Sequence, residues 1–111
     1  MPKLDSNFYD QVFEIVRLIP KGRATSYGAI AKALGAGGSA RMVGYAMSNA
    51  GIAHSKVPAH RVVNSSGLLT GKFHFSPPEL MQQSLEAEGI VVVNDKIKNF
   101  KQVFWNPLDE I

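Results

Sequence analysis

Two short helical segments joined by a glycine-containing turn constrain the fold of this chain more than any other feature. Apolar residues recur at helical spacing over 27–34, and Thr25 or Ser26 stands where an N-cap hydroxyl is preferred. Gly35 follows at the position of a C-cap glycine, and a second helix is predicted over 40–49. Two short helices connected in this way predict a helix-turn-helix unit.

Similar patterns place the other elements around this unit. We expect further helices over 7–18 and 76–88, short strands over 90–93 and 96–98 around a turn at 94–95, and a turn over 64–67. The remaining N-caps are expected at Ser6 or Asp5, at Ser39, and at Ser76 in a capping box with Glu79. Phe100, Val103, Phe104 and Trp105 should fold back onto the core. The sequence thus predicts one mainly helical α+β domain over 1–111.

Positive charge is concentrated in the middle of the chain. Residues 15–78 contain no aspartate or glutamate but eight cations, while the rest of the chain has nine acids against four lysines. The eight cations are Arg17, Lys21, Arg23, Lys32, Arg41, Lys56, Arg61 and Lys72. A surface with one sign of charge favours a polyanion as the partner. Charge alone does not distinguish DNA from RNA or from an acidic protein.

Composition excludes several other classes of protein. With 45% hydrophobic and 19% charged residues, the chain has the balance of a globular domain rather than of a disordered one. No apolar run approaches the roughly 18 residues that span a bilayer, and the start lacks a signal peptide's apolar core. There are no cysteines, and the three histidines lack metal-ligand spacing. We therefore expect a cytoplasmic protein, at the nucleoid in a bacterium, without metal or cofactor.

Four motifs occur in order along the chain and carry a family resemblance. They are Ile19-Pro20-Lys21-Gly22 followed by Thr25-Ser26-Tyr27-Gly28; Ala40-Arg41-Met42-Val43-Gly44; Pro58-Ala59-His60-Arg61-Val62; and Leu85-Glu86-Ala87-Glu88-Gly89. Together they resemble the C-terminal, DNA-binding domain of the O6-alkylguanine-DNA alkyltransferases, whose helix-turn-helix fold is winged-helix-like. Where those proteins carry a nucleophilic cysteine, this chain has Ala59. The chain therefore resembles an alkyltransferase-like protein.

The resemblance implies that the second helix of the unit enters the minor groove of DNA. The implied DNA contacts are Tyr27, Arg41, Ala40, Thr25, Ser26 and Gly44. Arg41 would take the place of the flipped-out nucleotide, because a planar cation can stack in the duplex. Tyr27 would help to rotate the target phosphate, and the small residues would allow a close approach. Without the resemblance, Arg41 is an ordinary phosphate contact and Tyr27 a half-buried core residue.

The resemblance also implies a pocket for the flipped base. Its residues would be Tyr27, Ala59, Val62, Lys72 and Asn49, and the loop 70–76 would form a wall. Lys72 would either lie against the alkylated base through a cation–π contact or be a solvated loop lysine. Asn49 is near the family's hinge asparagine, although the interval to Ala59 contains an extra residue.

His60 and Glu88 match the base and the orienting carboxylate that activate the cysteine in the active enzymes. With Ala59 beside them they form a degenerate site, and no residue of the chain is expected to be catalytic. Glu88 stands at a helix end, where the macrodipole disfavours a carboxylate, so we expect His60 to compensate it. Arg61 is expected to be structural.

These observations predict a non-enzymatic, monomeric protein that recognises O6-alkylguanine in duplex DNA by minor-groove binding and base flipping. The resemblance implies that nucleotide excision repair proteins take over the flagged lesion. Two alternatives remain open. The chain is an alkyltransferase whose cysteine was replaced by alanine, or it is a helix-turn-helix regulator that binds undamaged DNA in the major groove.

Overall fold

A computed structural model describes residues 4–35, 40–49 and 57–111. The helices are α1 (Leu4–Leu18), α2 (Tyr27–Ala33), α3 (Ala40–Ser48), α4 (Glu79–Glu86), α5 (Phe100–Val103) and α6 (Pro107–Glu110), with single 3₁₀ turns at Ala59–Arg61 and Lys72–His74. The strands are β1 (Thr25–Ser26), β2 (Val62–Val63), β3 (Val92–Val93) and β4 (Lys96–Ile97). The mainly helical α+β prediction is confirmed, and no helix in these ranges is long and apolar enough to cross a bilayer.

The helix-turn-helix unit forms where the sequence places it. Ser26 Oγ accepts a hydrogen bond of 3.1 Å from the amide of Ala29 and so caps α2. Gly35 has a φ of +70°, a left-handed conformation that glycine adopts without a steric cost. The predicted cap of α3, Ser39, lies outside the described residues. Helices α1, α2 and α3 pack together around one buried cluster, which includes Val12, Phe13, Val16, Ile30, Val43, Ala46 and Trp105.

Two small sheets join the helical unit to the rest of the chain. Strand β1 pairs in parallel with β2, so that Thr25 lies opposite Val62 and Ser26 opposite Val63. The sequence did not indicate this pairing. The predicted hairpin is confirmed: β3 and β4 are antiparallel, and Asn94 and Asp95 between them have positive φ angles of 52° and 61°.

The start of helix α4 differs from the prediction. The helix begins at Glu79 with Pro78 at the N-cap position, and no side chain caps it, so the capping box at Ser76 is wrong. Pro78, at the N-cap, carries no amide hydrogen, so one of the donors that a helix start leaves open is absent. Helix α1 likewise begins at Leu4, so the predicted caps Asp5 and Ser6 lie within it.

The C-terminal segment folds back onto the core, as predicted. The amide of Trp105 donates to the carbonyl of Ala24 at 2.8 Å, and the amide of Ala24 donates to the carbonyl of Val103 at 3.0 Å. The Arg23 side chain adds bonds to the carbonyls of Val103 and Phe104. Trp105 is only 3% exposed. This segment therefore closes the core beside β1.

Candidate nucleic-acid interface

Glu88 is the centre of a buried polar cluster that joins three separate parts of the chain. His60 Nε2 lies 2.7 Å from Glu88 Oε2, and the guanidinium of Arg61 donates to the same oxygen at 2.7 Å through Nη2. The backbone amide of Gly22 donates to Oε1 at 3.0 Å, and Arg61 Nη1 donates to the carbonyl of Ile19 at 2.8 Å. The predicted contact with His60 is present. Arg61 is structural, as expected, and its bond to Glu88 was not predicted.

The cluster holds Glu88 in its charged form. Burial on its own would raise the pKa of this carboxyl, but the hydrogen bonds from Arg61, from the Gly22 amide and from His60 lower the pKa from an ordinary 4.5 to about 2. The Glu88 side chain is 8% exposed and that of Arg61 16%, so solvent screens the pair only weakly. A carboxylate held in this way accepts hydrogen bonds and has no proton to donate at neutral pH.

Because of this cluster, we expect the free energy of unfolding to fall at acid pH. Because the folded-state pKa of Glu88 is depressed, its stabilisation is complete above pH 4.5 and is lost as the pH falls towards 2. The expected loss is about 3 kcal/mol in the free energy of unfolding. Urea titrations at several pH values would measure it, with Glu88→Gln as the reference that lacks this titration. Equal pH dependence in both proteins would contradict the lowered pKa.

A small cavity lies beside Ala59. Its volume is about 60 Å³, and it is lined by Tyr27, Met47, Ala59, Val62, Gly71, His74, Phe75 and Met81. Pockets that hold a small-molecule ligand usually have volumes of about 300–1,000 Å³, so this cavity is too small for a purine base. Three of the predicted pocket residues, Tyr27, Ala59 and Val62, do line it. A base could enter only if a wall moved.

Tyr27 and the loop 70–75 form the wall that closes this cavity. The Tyr27 hydroxyl is hydrogen-bonded with the side chain of Thr70, and burial raises the pKa of Tyr27 although that bond opposes the shift. A Cβ at Gly71 would stand 2.8 Å from the Tyr27 hydroxyl, so any larger residue there would make this hydroxyl shift. Tyr27 therefore connects the start of α2 to the loop.

Two residues predicted for the pocket lie elsewhere. Lys72 Nζ donates to Asp95 Oδ2 at 2.6 Å and lies 5.2 Å from the ring centre of Phe73. Asn49 is exposed just after α3, and its Nδ2 donates to the carbonyl of Tyr45 at 3.0 Å. Neither lines the cavity, because each is held by a partner on the surface. From the loop 70–76, the cavity instead receives Gly71, His74 and Phe75.

Helix α3 has one buried apolar side and one side that is exposed to solvent. Its buried side consists of Val43, Ala46 and Met47, while Arg41 is exposed. Tyr45 is 50% exposed. The predicted contact Ala40 is partly buried at the helix start. A Cβ at Gly44 would meet no atom of the described residues within 4 Å, so packing within residues 4–35, 40–49 and 57–111 gives no reason for glycine there.

Glycine inside a helix costs roughly 1 kcal/mol relative to alanine, so Gly44 suits a surface that something else approaches closely. The exposed Tyr45 was missed by the sequence analysis, although its position four residues after Arg41 places both on one side of the helix.

The hydroxyls of Thr25 and Ser26 correct another prediction. Thr25 is completely buried, and its Oγ1 has no hydrogen-bond partner among residues 4–35, 40–49 and 57–111. Ser26 is 6% exposed, and its Oγ is occupied by the amide of Ala29. The Thr25 hydroxyl is therefore enclosed by protein, and the Ser26 hydroxyl is used to cap α2, so neither hydroxyl is offered to a phosphate in this conformation.

The cations of the acid-free segment divide into two groups. Arg23, Arg61 and Lys72 are engaged within the protein, with backbone carbonyls, Glu88 and Asp95 respectively. Four others are exposed: Arg17, Lys21, Lys32 and Arg41. Lys56 lies outside the described residues. The positive surface available to a polyanion is therefore smaller than the count of eight suggests.

Comparison with known proteins identifies relatives of this chain. Residues 7–90 match the family model of the DNA-binding domain of 6-O-methylguanine DNA methyltransferase. A protein of Vibrio parahaemolyticus named DNA base-flipping protein is 39% identical over 100 residues, covering 90% of this chain and 97% of that protein. Alkyltransferase-like protein 1 of Schizosaccharomyces pombe is 32% identical over 104 residues, covering 90% of this chain and 95% of that protein.

Solved structures agree with these relatives. The Schizosaccharomyces pombe protein in complex with damaged DNA that contains O6-carboxymethylguanine has a TM-score of 0.80 at 31% identity, covering 95% of this chain and 98% of that one. The Mycobacterium tuberculosis alkyltransferase in complex with DNA has a TM-score of 0.64 at 40% identity, covering 74% of this chain and 49% of that one. The first similarity extends over nearly the full length of both chains.

Proposed function

Because this chain belongs to the family defined by the DNA-binding domain of 6-O-methylguanine DNA methyltransferase, we propose that it flips O6-alkylguanine out of duplex DNA and holds the base without repairing it. Ala59 carries this proposal. It lines the cavity beside Tyr27, it stands where the motif resemblance puts the family's cysteine, and the whole chain has no cysteine. A methyl side chain cannot accept an alkyl group, so the protein recognises the lesion and is not an enzyme.

The residues around Ala59 support recognition rather than transfer. His60 is held against Glu88 at 2.7 Å and is absent from the cavity lining. The ion-paired Glu88 is stabilised by three donors, so the cluster acts as a brace between the 3₁₀ turn that carries Ala59 and the end of α4. His60 and Glu88, which match the groups that activate the cysteine in the active enzymes, here hold the turn that carries Ala59 in place.

In the proposed complex, Arg41 on α3 enters the minor groove and fills the space that the flipped nucleotide leaves. Tyr27 moves away from Thr70 as the loop 70–75 opens, and the alkylated base occupies the enlarged cavity. The similarity to a relative solved on damaged DNA supports this arrangement. The complex with the flipped base would then be the signal that nucleotide excision repair proteins recognise.

The experiment compares a duplex that contains O6-methylguanine with the matched undamaged duplex. We expect tighter binding of the damaged duplex in a mobility-shift titration. After prolonged incubation, the intact mass of the protein and the lesion content of the DNA should both be unchanged, because no nucleophile reaches the alkyl carbon. An active alkyltransferase is the positive control, and its mass should increase.

A cavity-filling variant gives the matched control. Ala59→Leu adds a branched side chain to a space of about 60 Å³, so it should remove the preference for the lesion while leaving affinity for undamaged duplex in place. An alkyl mass on the protein, or loss of the lesion, would show an enzyme. No preference for the lesion in the unmodified protein would favour a regulator of undamaged DNA.

A further inference from the structure

A cleft lined by lysines runs across the surface from the start of α2. Its first part, of about 440 Å³, lies between α2 and the C-terminal segment, with Lys32 and Lys101 among its lining residues. A second part, of about 520 Å³, shares Ser65, Phe100 and Lys101 with the first and extends to Lys96. A third part, of about 380 Å³, continues from Lys96 to Lys98. We call Lys32, Lys96, Lys98 and Lys101 the lysine cleft.

The positive charge of the lysine cleft is not neutralised within the described part of the chain. All four lysines are exposed, and no carboxylate in these ranges lines any of the three parts. Two nearby acids are already engaged: Asp95 is paired with Lys72 at 2.6 Å, and Asp109 accepts a hydrogen bond of 3.2 Å from Asn106. Four cations around a continuous concave surface create a site for a polyanion.

The cleft and the cavity proposed for the flipped base are lined by consecutive residues at the start of α2. Tyr27 lines that cavity, while its neighbours Ser26 and Gly28 line the first part of the cleft. A Cβ at Gly28 would meet no described atom within 4 Å, so the entrance is open to a backbone. Ser65, on the turn after β2, is exposed and supplies a hydroxyl that can donate to a phosphate oxygen.

We propose that the lysine cleft binds the sugar–phosphate backbone of the DNA strand that continues from the flipped nucleotide. This inference rests on the proposed function, since it places the strand at Tyr27. Three of the four lysines lie outside the acid-free segment 15–78, so the charge pattern of the sequence did not point to them. Phosphate contacts of this kind fix the register of a protein on the duplex and carry no sequence information.

The test measures affinity for undamaged duplex against salt concentration in matched variants. Each phosphate contact contributes about −0.9 to the slope of log K against log[salt]. We therefore expect Lys32→Gln with Lys101→Gln to make the slope shallower by about 2, and Lys96→Gln with Lys98→Gln to do the same. Replacement of the same lysines by arginine should keep the slope. Arg17→Gln with Lys21→Gln removes the same net charge outside the cleft and should change the slope less.

Several outcomes would overturn the proposal. Equal losses in the cleft pair and in the Arg17/Lys21 pair would mean that net charge alone acts. A loss of affinity for single-stranded RNA or for an acidic peptide, with duplex DNA unaffected, would assign the cleft to that partner instead.

The ratio of affinities for damaged and undamaged duplex separates this inference from the proposed function. We expect the cleft variants to keep the ratio while the absolute affinities fall. A ratio of one in the unmodified protein would refute lesion recognition, whatever the cleft variants show.

Discussion

Glu88→Ala is expected to reduce the free energy of unfolding by about 3–5 kcal/mol, a large part of the stability of a domain of this size. The substitution leaves Arg61 partly buried without its carboxylate and removes the acceptor of the Gly22 amide and of His60. Removal of one member of a buried ion pair is costly because the other charge stays in a poorly solvated position. Chemical denaturation followed by circular dichroism would measure the loss.

Glu86→Ala is the matched control for this experiment. Glu86 is the last residue of α4, two positions before Glu88, but it is exposed and accepts a hydrogen bond from Gln82. Its removal should cost no more than about 0.5 kcal/mol. A loss below about 1 kcal/mol for Glu88→Ala would mean that the cluster contributes little to folding. It would also remove the argument that the cluster braces the turn carrying Ala59.

Arg41→Ala is expected to lower the flipped fraction of the target base by at least about tenfold at saturating protein. Unstacking a base costs a few kcal/mol, and each 1.4 kcal/mol of lost compensation changes the equilibrium about tenfold. Arg41 is exposed near the start of α3, where its side chain is free to enter a groove. A fluorescent base analogue at the lesion position would report flipping directly.

Two variants separate stacking from charge at this position. Arg41→Lys keeps the positive charge but loses the planar group, so flipping should be weaker than in the unmodified protein and stronger than in Arg41→Ala. Arg17→Ala removes an exposed arginine outside the helix-turn-helix unit and should leave the flipped fraction at saturation unchanged. An unaltered fluorescence signal in Arg41→Ala would refute the assignment of Arg41 as the intercalating residue.

The local elements of this fold were predictable because they depend on neighbouring residues. Gly35 adopts the left-handed conformation that its position indicated, and Asn94 and Asp95 form the turn between β3 and β4. The family motifs also marked Ala59 and Tyr27, which do line one cavity. Such features follow from helical period, capping and turn chemistry within a few residues.

The long-range contacts could not be predicted in the same way. The pairing of Thr25 with Val62 buries a hydroxyl that the family resemblance placed among the DNA contacts. Lys72 is held by Asp95, which lies in the turn between β3 and β4, and so does not reach the cavity. Each of these contacts joins residues far apart in sequence, and no local pattern encodes which partner a side chain finds.

The parallel pairing of β1 with β2 has a consequence for the range of lesions that the protein can accommodate. Thr25 pairs with Val62 and Ser26 with Val63. The two cavity-lining residues Tyr27 and Val62 are therefore joined through the hydrogen bonds of one sheet. These two sides of the cavity cannot separate without breaking the sheet. The loop 70–75, in contrast, is held to its neighbours by side chains, among them Thr70, hydrogen-bonded with Tyr27, and Lys72, ion-paired with Asp95. The compliance of that loop, more than the size of the side chain at position 59, should set how large an alkyl group is accepted.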